Sequence, residues 1–216
     1  HGTLDDFLAM SNYISNNNMA DAANFGQASQ LLDLENFTDY LHTEIFVAST
    51  DWLQDYYNNI RLFKVDKNDP WKFILWDVSY SSGNASGCVS CDVLGSTLGD
   101  DSRYGEMLRS LLDNPEYRRY FINRFADLMN TSFLPTRALE LINTNAAELG
   151  PEINRQNDRW GSGNFNEWSN SVEDLRDFYV ERPQNQRLHI VDNFQLDQQV
   201  NITLAANPPA AGTIKI

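Results

Sequence analysis

Apolar residues recur at helical spacing through most of this chain, and only one stretch shows the pattern of β-strands. Residues 4–14 carry such a helical pattern after Thr3, a residue suited to cap a helix. A stronger pattern follows Asp33, with the apolar positions on one stripe. Glu44 lies off that stripe and is expected to face water. His42 is interpreted as a partly exposed helical residue rather than a ligand.

The second half of the chain is predicted to be almost entirely helical. Asn114 followed by Pro115 is a strong helix start, because the Asn side chain can cap and Pro suits the first helical position. Ser171 and Asp174 resemble a capping box that opens a further helix. The predicted helical segments are residues 116–133, 136–147, 152–160, 172–182 and 187–194. Residues 79–103, rich in small and polar side chains, are predicted to form a long loop.

A β-hairpin is predicted in the middle of the chain. Two apolar and aromatic runs, residues 60–65 and 71–76, are separated by the turn sequence Asn-Asp-Pro, and the second run leads directly to Asp77. Residues 196–216 alternate apolar and polar positions and are expected to begin a small β module or a linker. The predicted fold class is therefore α+β, mainly α, with a central β-hairpin and a trailing β segment.

Composition limits the classes of partner. Of 216 residues, 42% are hydrophobic, enough for a substantial core, and 16 Lys and Arg against 30 Asp and Glu give a net charge of −14. A surface this acidic disfavours nucleic acid and anionic membranes as partners. The sequence has no apolar run long enough for a transmembrane segment. The chain begins at His1 without an initiator Met, which suggests a processed product.

The two cysteines, Cys88 and Cys91, form a CxxC motif in a Gly- and Ser-rich stretch. A redox motif normally caps a helix after a strand, and two cysteines without a nearby His are too few for a zinc site. A local disulfide is the preferred interpretation, and it indicates an oxidising, extracytoplasmic compartment.

Candidate chemistry is concentrated around the hairpin. Asp51 precedes it, the pair Asn58 and Asn59 opens it, and Asp77 ends it. Each of these residues alone is equally typical of a turn or a helix end. Together they offer what phosphoryl transfer to a hydroxyl requires, namely one carboxylate near the acceptor, and a carboxylate with an amide oxygen for magnesium. Asp55 competes with Asp51 for the first role.

Residues 44–82, "EIFVASTDWLQDYYNNIRLFKVDKNDPWKFILWDVSYSS", resemble the core of the spore-coat protein H (CotH) family of atypical secretory kinases. The later segments "LLDNPEYRRYFINRFADLMNTSFLP" and "LINTNAAELGPEINRQNDRW" resemble that family's helical remainder, in the same order. The resemblance covers roughly residues 1–195, interpreted as an atypical protein-kinase-like C-terminal lobe, with residues 196–216 outside it. Active members bind ATP and magnesium and phosphorylate proteins.

The resemblance implies roles for particular residues. Asp51 would be the catalytic acid that orients the acceptor hydroxyl, Asn58 or Asn59 would assist the metal, and Asp77 would bind it. The chain departs from the family pattern at Ser79, which stands where a second acid is usual. The spacing between Asp51 and the Asn pair is also longer than usual, and the usual Phe-Gly after the acids is absent.

Two functions from different classes follow. The first is part of a secreted or cell-envelope kinase that transfers the γ-phosphate of ATP to protein hydroxyls. The second is a non-catalytic, pseudokinase-like module with a structural or adhesive role in an extracellular assembly, favoured by Ser79. The family's ATP-anchoring Lys and Glu come from a β-rich lobe that is expected to precede this chain. Asn84 lies in an N-x-S sequon and is a candidate glycosylation site.

Overall fold

The computed structural model describes residues 1–53, 58–84, 88–161 and 163–200, together with residues 202, 205, 206 and 212. The elements within these residues are helices α1 (Leu4–Asn16), α2 (Ala22–Leu31) and α3 (Leu34–Phe46), strands β1 (Arg61–Phe63) and β2 (Lys72–Ile74), helices α4 (Val93–Leu98), α5 (Arg103–Leu112), α6 (Pro115–Asn130) and α7 (Pro135–Leu149), a short 3₁₀ turn (Gly150–Glu152), and helices α8 (Ile153–Trp160) and α9 (Phe165–Phe194). The α+β, mainly α class is therefore confirmed.

The helix starts predicted from capping residues are confirmed for three helices. The Thr3 hydroxyl accepts from the Asp6 backbone N–H and the Asp6 carboxylate accepts from the Thr3 N–H, which completes a capping box on α1. Asp33 caps α3 through the Asn36 N–H. Asn114 caps α6 with Pro115 at its first turn. Each cap satisfies backbone donors that have no partner within the helix.

Helix α3 is the centre of the core, because it packs against β2, α4, α6 and α9. Two expectations about it are wrong for this reason. Glu44, expected to face water, is 1% exposed, and His42, expected to be partly exposed, is fully buried. The His42 ring stacks on Phe125 and meets Phe121 edge-on. A helix covered on several sides buries its polar positions together with its apolar stripe.

The central hairpin is confirmed, with strands shorter than the apolar runs that predicted it. Strands β1 and β2 are antiparallel, with Leu62 opposite Phe73. Phe73 packs against Phe37 and Tyr40 of α3. The Trp71 backbone N–H donates to the Leu31 carbonyl, and the Trp71 carbonyl accepts from the Asp33 N–H. Leu31 is the last residue of α2, and Asp33 is the cap of α3. The hairpin is thus fixed to the helical core along β2.

Several predicted boundaries are wrong. The stretch predicted as a loop over residues 79–103 contains α4 and leads into α5, and α2 was not predicted. The helices predicted at residues 172–182 and 187–194 are both parts of α9, which begins at its cap Asn164. Ser171 lies inside that helix, where its hydroxyl donates to the Glu167 carbonyl instead of capping. Pro183 also lies inside α9.

The predicted trailing β segment is only partly described. Residues 195–200 contain no strand, and most of the segment lies outside the described residues. Across the part of the chain that the structure describes, no helix combines the length and the apolar character needed to cross a membrane.

Candidate active site

The first segment of the candidate site begins where α3 ends. The chain turns at Ala48, whose φ of 52° lies in the left-handed region. Such a conformation costs a residue with a side chain roughly 1–2 kcal/mol, so the surrounding contacts must hold it. The Ser49 N–H donates to the Glu44 carbonyl at 3.0 Å, which draws the chain back over the helix end. This turn delivers Thr50 and Asp51 to the surface beside the hairpin.

Asp51 and the Asn pair come together, although they are seven and eight residues apart in sequence. The Asn59 amide donates to the Asp51 carboxylate at 3.0 Å and to the Asp51 backbone carbonyl at 3.2 Å. The Asn58 amide donates to the same carboxylate at 3.3 and 3.4 Å. Asn59 is buried and has a φ of 58°, a conformation that Asn tolerates better than most residues.

These contacts decide which atoms remain for a ligand. Each amide uses its NH₂ group on Asp51, so its carbonyl oxygen is not engaged by that contact. Amide and carboxylate oxygens are ligands that magnesium accepts. Asp55, the competing acid, lies outside the described residues.

Asp77 lies just beyond β2 and is exposed, with a φ of 49°. Its carboxylate accepts a long hydrogen bond of 3.4 Å from the Ser79 backbone N–H. Ser79 itself is exposed, and its carbonyl accepts from the Asn84 side chain at 2.8 Å. Asn84, the candidate glycosylation site, is exposed, and its modification stays a prediction.

The chain after Asp77 runs beside the chain before Asp51. The backbone N–H and the hydroxyl of Thr50 donate to the Tyr80 carbonyl at 3.0 and 3.2 Å. The Ser82 N–H donates to the Val47 carbonyl at 2.6 Å. The two segments that carry the candidate acids are therefore joined by backbone hydrogen bonds. Beside Asp77, the side chains of Trp76 and Tyr80 are both about half exposed.

In the part of the chain that the structure describes, no three His, Cys, Asp or Glu side chains form a cluster that could hold a metal ion. Magnesium in nucleotide sites is typically held by one or two carboxylates together with substrate phosphates and water. Asp77 offers a carboxylate, and Asn58 and Asn59 offer amide oxygens, which are donor types that such an ion accepts.

Sequence reasoning missed two buried ionisable residues, one on α3 and one on α9. Burial raises the pKa of the Glu44 carboxyl to about 7, and the Tyr40 and Ser49 hydroxyls nearby oppose that shift. Neither of those hydroxyls reaches hydrogen-bond geometry with a Glu44 oxygen. Arg182 of α9 is also fully buried. An (i, i+3, i+4) pattern cannot reveal such residues, because their burial depends on which helices meet in the fold.

The predicted disulfide is confirmed. Cys88 and Cys91 are bonded, in a turn that precedes α4 and is closed by a backbone hydrogen bond between the same two residues.

The structure is that of a mainly helical α+β protein in which Asp51, Asn58 and Asn59 meet just before the first strand of the hairpin. The family model of the CotH kinase proteins matches residues 1–185 of the chain. The chain therefore belongs to the CotH kinase protein family. No curated protein and no solved structure matches it.

Proposed function

We propose that this chain carries the phosphoryl-transfer residues of a secreted or cell-envelope kinase that moves the γ-phosphate of ATP to protein hydroxyls. The observation that carries the proposal is the contact of the Asn59 and Asn58 amides with Asp51, next to the backbone bonds that bring the Asp77 segment alongside. Family membership supports the same reaction, since the family is one of kinases.

In this proposal each residue has one task. Asp51 accepts the proton of the attacking hydroxyl, and the two amides fix the orientation of its carboxylate. The hydroxyl oxygen forms a bond to the γ-phosphorus while the bond to the β-phosphate oxygen breaks, and ADP leaves. Asp77, with the help of an Asn amide oxygen, would hold magnesium, which when bound would supply positive charge to the phosphate oxygens.

The acidic surface and the disulfide support the remaining parts of the proposal. A net charge of −14 argues for a protein partner rather than nucleic acid. A disulfide in a chain of this kind supports an extracellular or envelope location, since cytosolic proteins rarely keep one.

Ser79 favours a second candidate, a non-catalytic module with a structural or adhesive role. It supplies a hydroxyl where the family usually has an acid, so the site holds less negative charge for magnesium. The two candidates differ in whether phosphate is transferred. A non-catalytic protein that still binds nucleotide would differ from the kinase in the transfer alone, not in nucleotide binding.

The test uses the purified protein, with whatever sequence its gene places on either side of these residues. Saturating ATP with magnesium, at about 100 times its Kd, should raise the unfolding free energy by about 2.7 kcal/mol and Tm by about 5–10 °C. Asp77→Asn should remove most of this shift. Asp51→Asn should keep the shift but abolish transfer of radiolabelled γ-phosphate to a protein acceptor.

The matched control is Asp127→Asn, which removes an exposed acid from α6. It should leave both the Tm shift and the transfer unchanged. A Tm shift without transfer in the unmodified protein would support the non-catalytic candidate. Absence of both the shift and the transfer would refute the kinase proposal.

A further inference from the structure

Arg182 of α9 is a fully buried cation whose hydrogen-bond acceptors are all uncharged groups. Its Nε donates to the Phe46 carbonyl, Nη1 to the carbonyls of Val89 and Cys91, and Nη2 to the Ile45 carbonyl and the Gln186 side chain, at 2.7–3.1 Å. An arginine has five N–H donors, so the five bonds satisfy the whole guanidinium. Burial lowers its pKa to about 10, which leaves it charged at neutral pH.

Two of these acceptors belong to the last turn of α3. A helix ends with carbonyls that have no partner in the helix and carry partial negative charge, so a cation placed there is stabilising. Arg182 binds the carbonyls of Ile45 and Phe46, and the next carbonyl, that of Val47, accepts from Ser82. The start of the segment that leads to Asp51 is therefore held from outside α3.

The same face of α9 also contacts the segment that follows Asp77. Tyr179 lies three residues before Arg182, so the two side chains are neighbours on the helix surface. The Tyr179 hydroxyl is 3.1 Å from the Ser82 hydroxyl, and its ring lies 6.2 Å from that of Phe46. One face of α9 thus contacts both segments of the candidate site.

A buried charge needs a full set of partners, because a guanidinium left without acceptors in the core is strongly destabilising. The bonds to Val89 and Cys91 add the disulfide turn to those partners. With five acceptors from three parts of the chain, Arg182 allows little relative movement among α9, the end of α3 and that turn.

We propose that Tyr179 and Arg182 are positioning residues, which hold the Asp51 segment and the Asp77 segment in register through the face of α9 they share. The consequence for phosphate transfer rests on the proposed function, whereas the positioning itself does not. Neither residue is placed in contact with a reacting atom. Their effect on the site is exerted through Phe46, Ile45 and Ser82.

The main experiment measures amide hydrogen exchange in Tyr179→Phe, which removes a single hydroxyl. The reporters are the N–H groups of Thr50 and Ser82, because their bonds to Tyr80 and Val47 join the two segments. Loss of one hydrogen bond should speed their exchange about fivefold. The Phe73 N–H, bonded to the Asn36 side chain, is the internal reference and should not change.

The matched control is Tyr13→Phe, which also removes a hydroxyl with one side-chain partner, Asn24, but on α1. It should leave the Thr50 and Ser82 amides unchanged. Arg182→Lys keeps the charge with three donors instead of five and should give a larger local effect than Arg118→Lys, whose native side chain also binds a backbone carbonyl.

Kinetic measurements then connect positioning to the reaction. In Tyr179→Phe the magnesium concentration for half-maximal transfer should rise and kcat should fall, while Tyr13→Phe changes neither. If the unmodified protein transfers no phosphate, the proposed function fails and the exchange result still decides the positioning proposal. The positioning proposal would be overturned if the exchange rates of the Thr50 and Ser82 amides in Tyr179→Phe stay as in the unmodified protein, as that of Phe73 should. This outcome decides the proposal even if Arg182→Lys does not fold.

Discussion

His42 and Glu44 are two buried titratable residues of α3 that should make stability depend on pH in opposite directions. Burial holds the pKa of His42 well below its ordinary value of 6.5, so the folded protein keeps this ring neutral. Neither ring nitrogen has a hydrogen-bond partner among the described residues. Burial raises the pKa of Glu44 from 4.5 to about 7, so below that pH the folded protein keeps this carboxyl mostly protonated.

The sign for each residue follows from which state binds the proton. Below pH 6.5 the unfolded chain protonates His42 and the folded one does not, so stability is lost as the pH falls. Between pH 4.5 and about 7 the folded protein holds a proton on Glu44 that the unfolded chain releases, so stability is lost as the pH rises. From pH 4.5 to 6.5 the two effects oppose each other, and the slope of each is at most about 1.4 kcal/mol per pH unit.

Single substitutions should separate the two effects. From pH 4.5 to 6.5, Glu44→Gln should gain about 2 kcal/mol of unfolding free energy relative to the unmodified protein, and His42→Leu should lose unfolding free energy relative to it. The residues are two apart on the helix and do not face each other, so the effects should add. The change with pH in the double variant should therefore be the sum of the changes in the two single variants.

Urea unfolding at half-unit pH steps, with linear extrapolation to water, measures these curves. The offset between variants depends on the packing each substitution disturbs, so the comparison uses only the change with pH. Curves for Glu44→Gln and His42→Leu that run parallel to each other would refute the reasoning. That result would mean that neither group changes its proton affinity on folding.

Two further predictions concern the loops around the site. Replacing both Cys88 and Cys91 by Ser should lower the unfolding free energy, measured by urea unfolding, by about 2 kcal/mol. The effect is small because the disulfide closes a very short loop. A reductant should lower the unfolding free energy of the unmodified protein by the same amount. Since Asn59 has a left-handed backbone, Asn59→Gly should be about 1 kcal/mol more stable than Asn59→Ala, although both lose the bonds to Asp51. Equal thermal unfolding of the two Asn59 variants would show that the backbone conformation does not matter there.

The elements of this fold that could be predicted were those with local signals. Thr3, Asp33 and Asn114 cap helices through residues three or fewer positions away, so sequence spacing is enough to find them. Helix α9 could not be predicted as one helix because Ser171 mimics a cap and Pro183 usually ends a helix, whereas here packing against α3, α6 and α7 keeps the helix continuous. At Ser171 and Pro183 the local tendency to begin or end a helix was overridden by packing against the rest of the protein.

The same division applies to the site. Asp51, Asn58 and Asn59 are close in sequence, and the structure brings them into contact. Arg182 is more than 130 residues from the carbonyls of Ile45 and Phe46 that it binds, and no sequence pattern reports such a pairing. Predicting it would require knowing that α9 crosses the end of α3.

The two candidate acids do not bear equally on function. Asp51 receives bonds from two amides, and those bonds would also explain its presence in a purely structural loop. Asp77 is different, because it is exposed, has a left-handed backbone and receives only a 3.4 Å bond, from its own turn, among the described residues. Asp, like Asn, adopts this conformation more readily than most residues, so the backbone alone does not explain the acid. Because Asp77 contributes little to the fold among the described residues, loss of the Tm shift with ATP and magnesium in Asp77→Asn would report on the proposed ligand binding rather than on architecture.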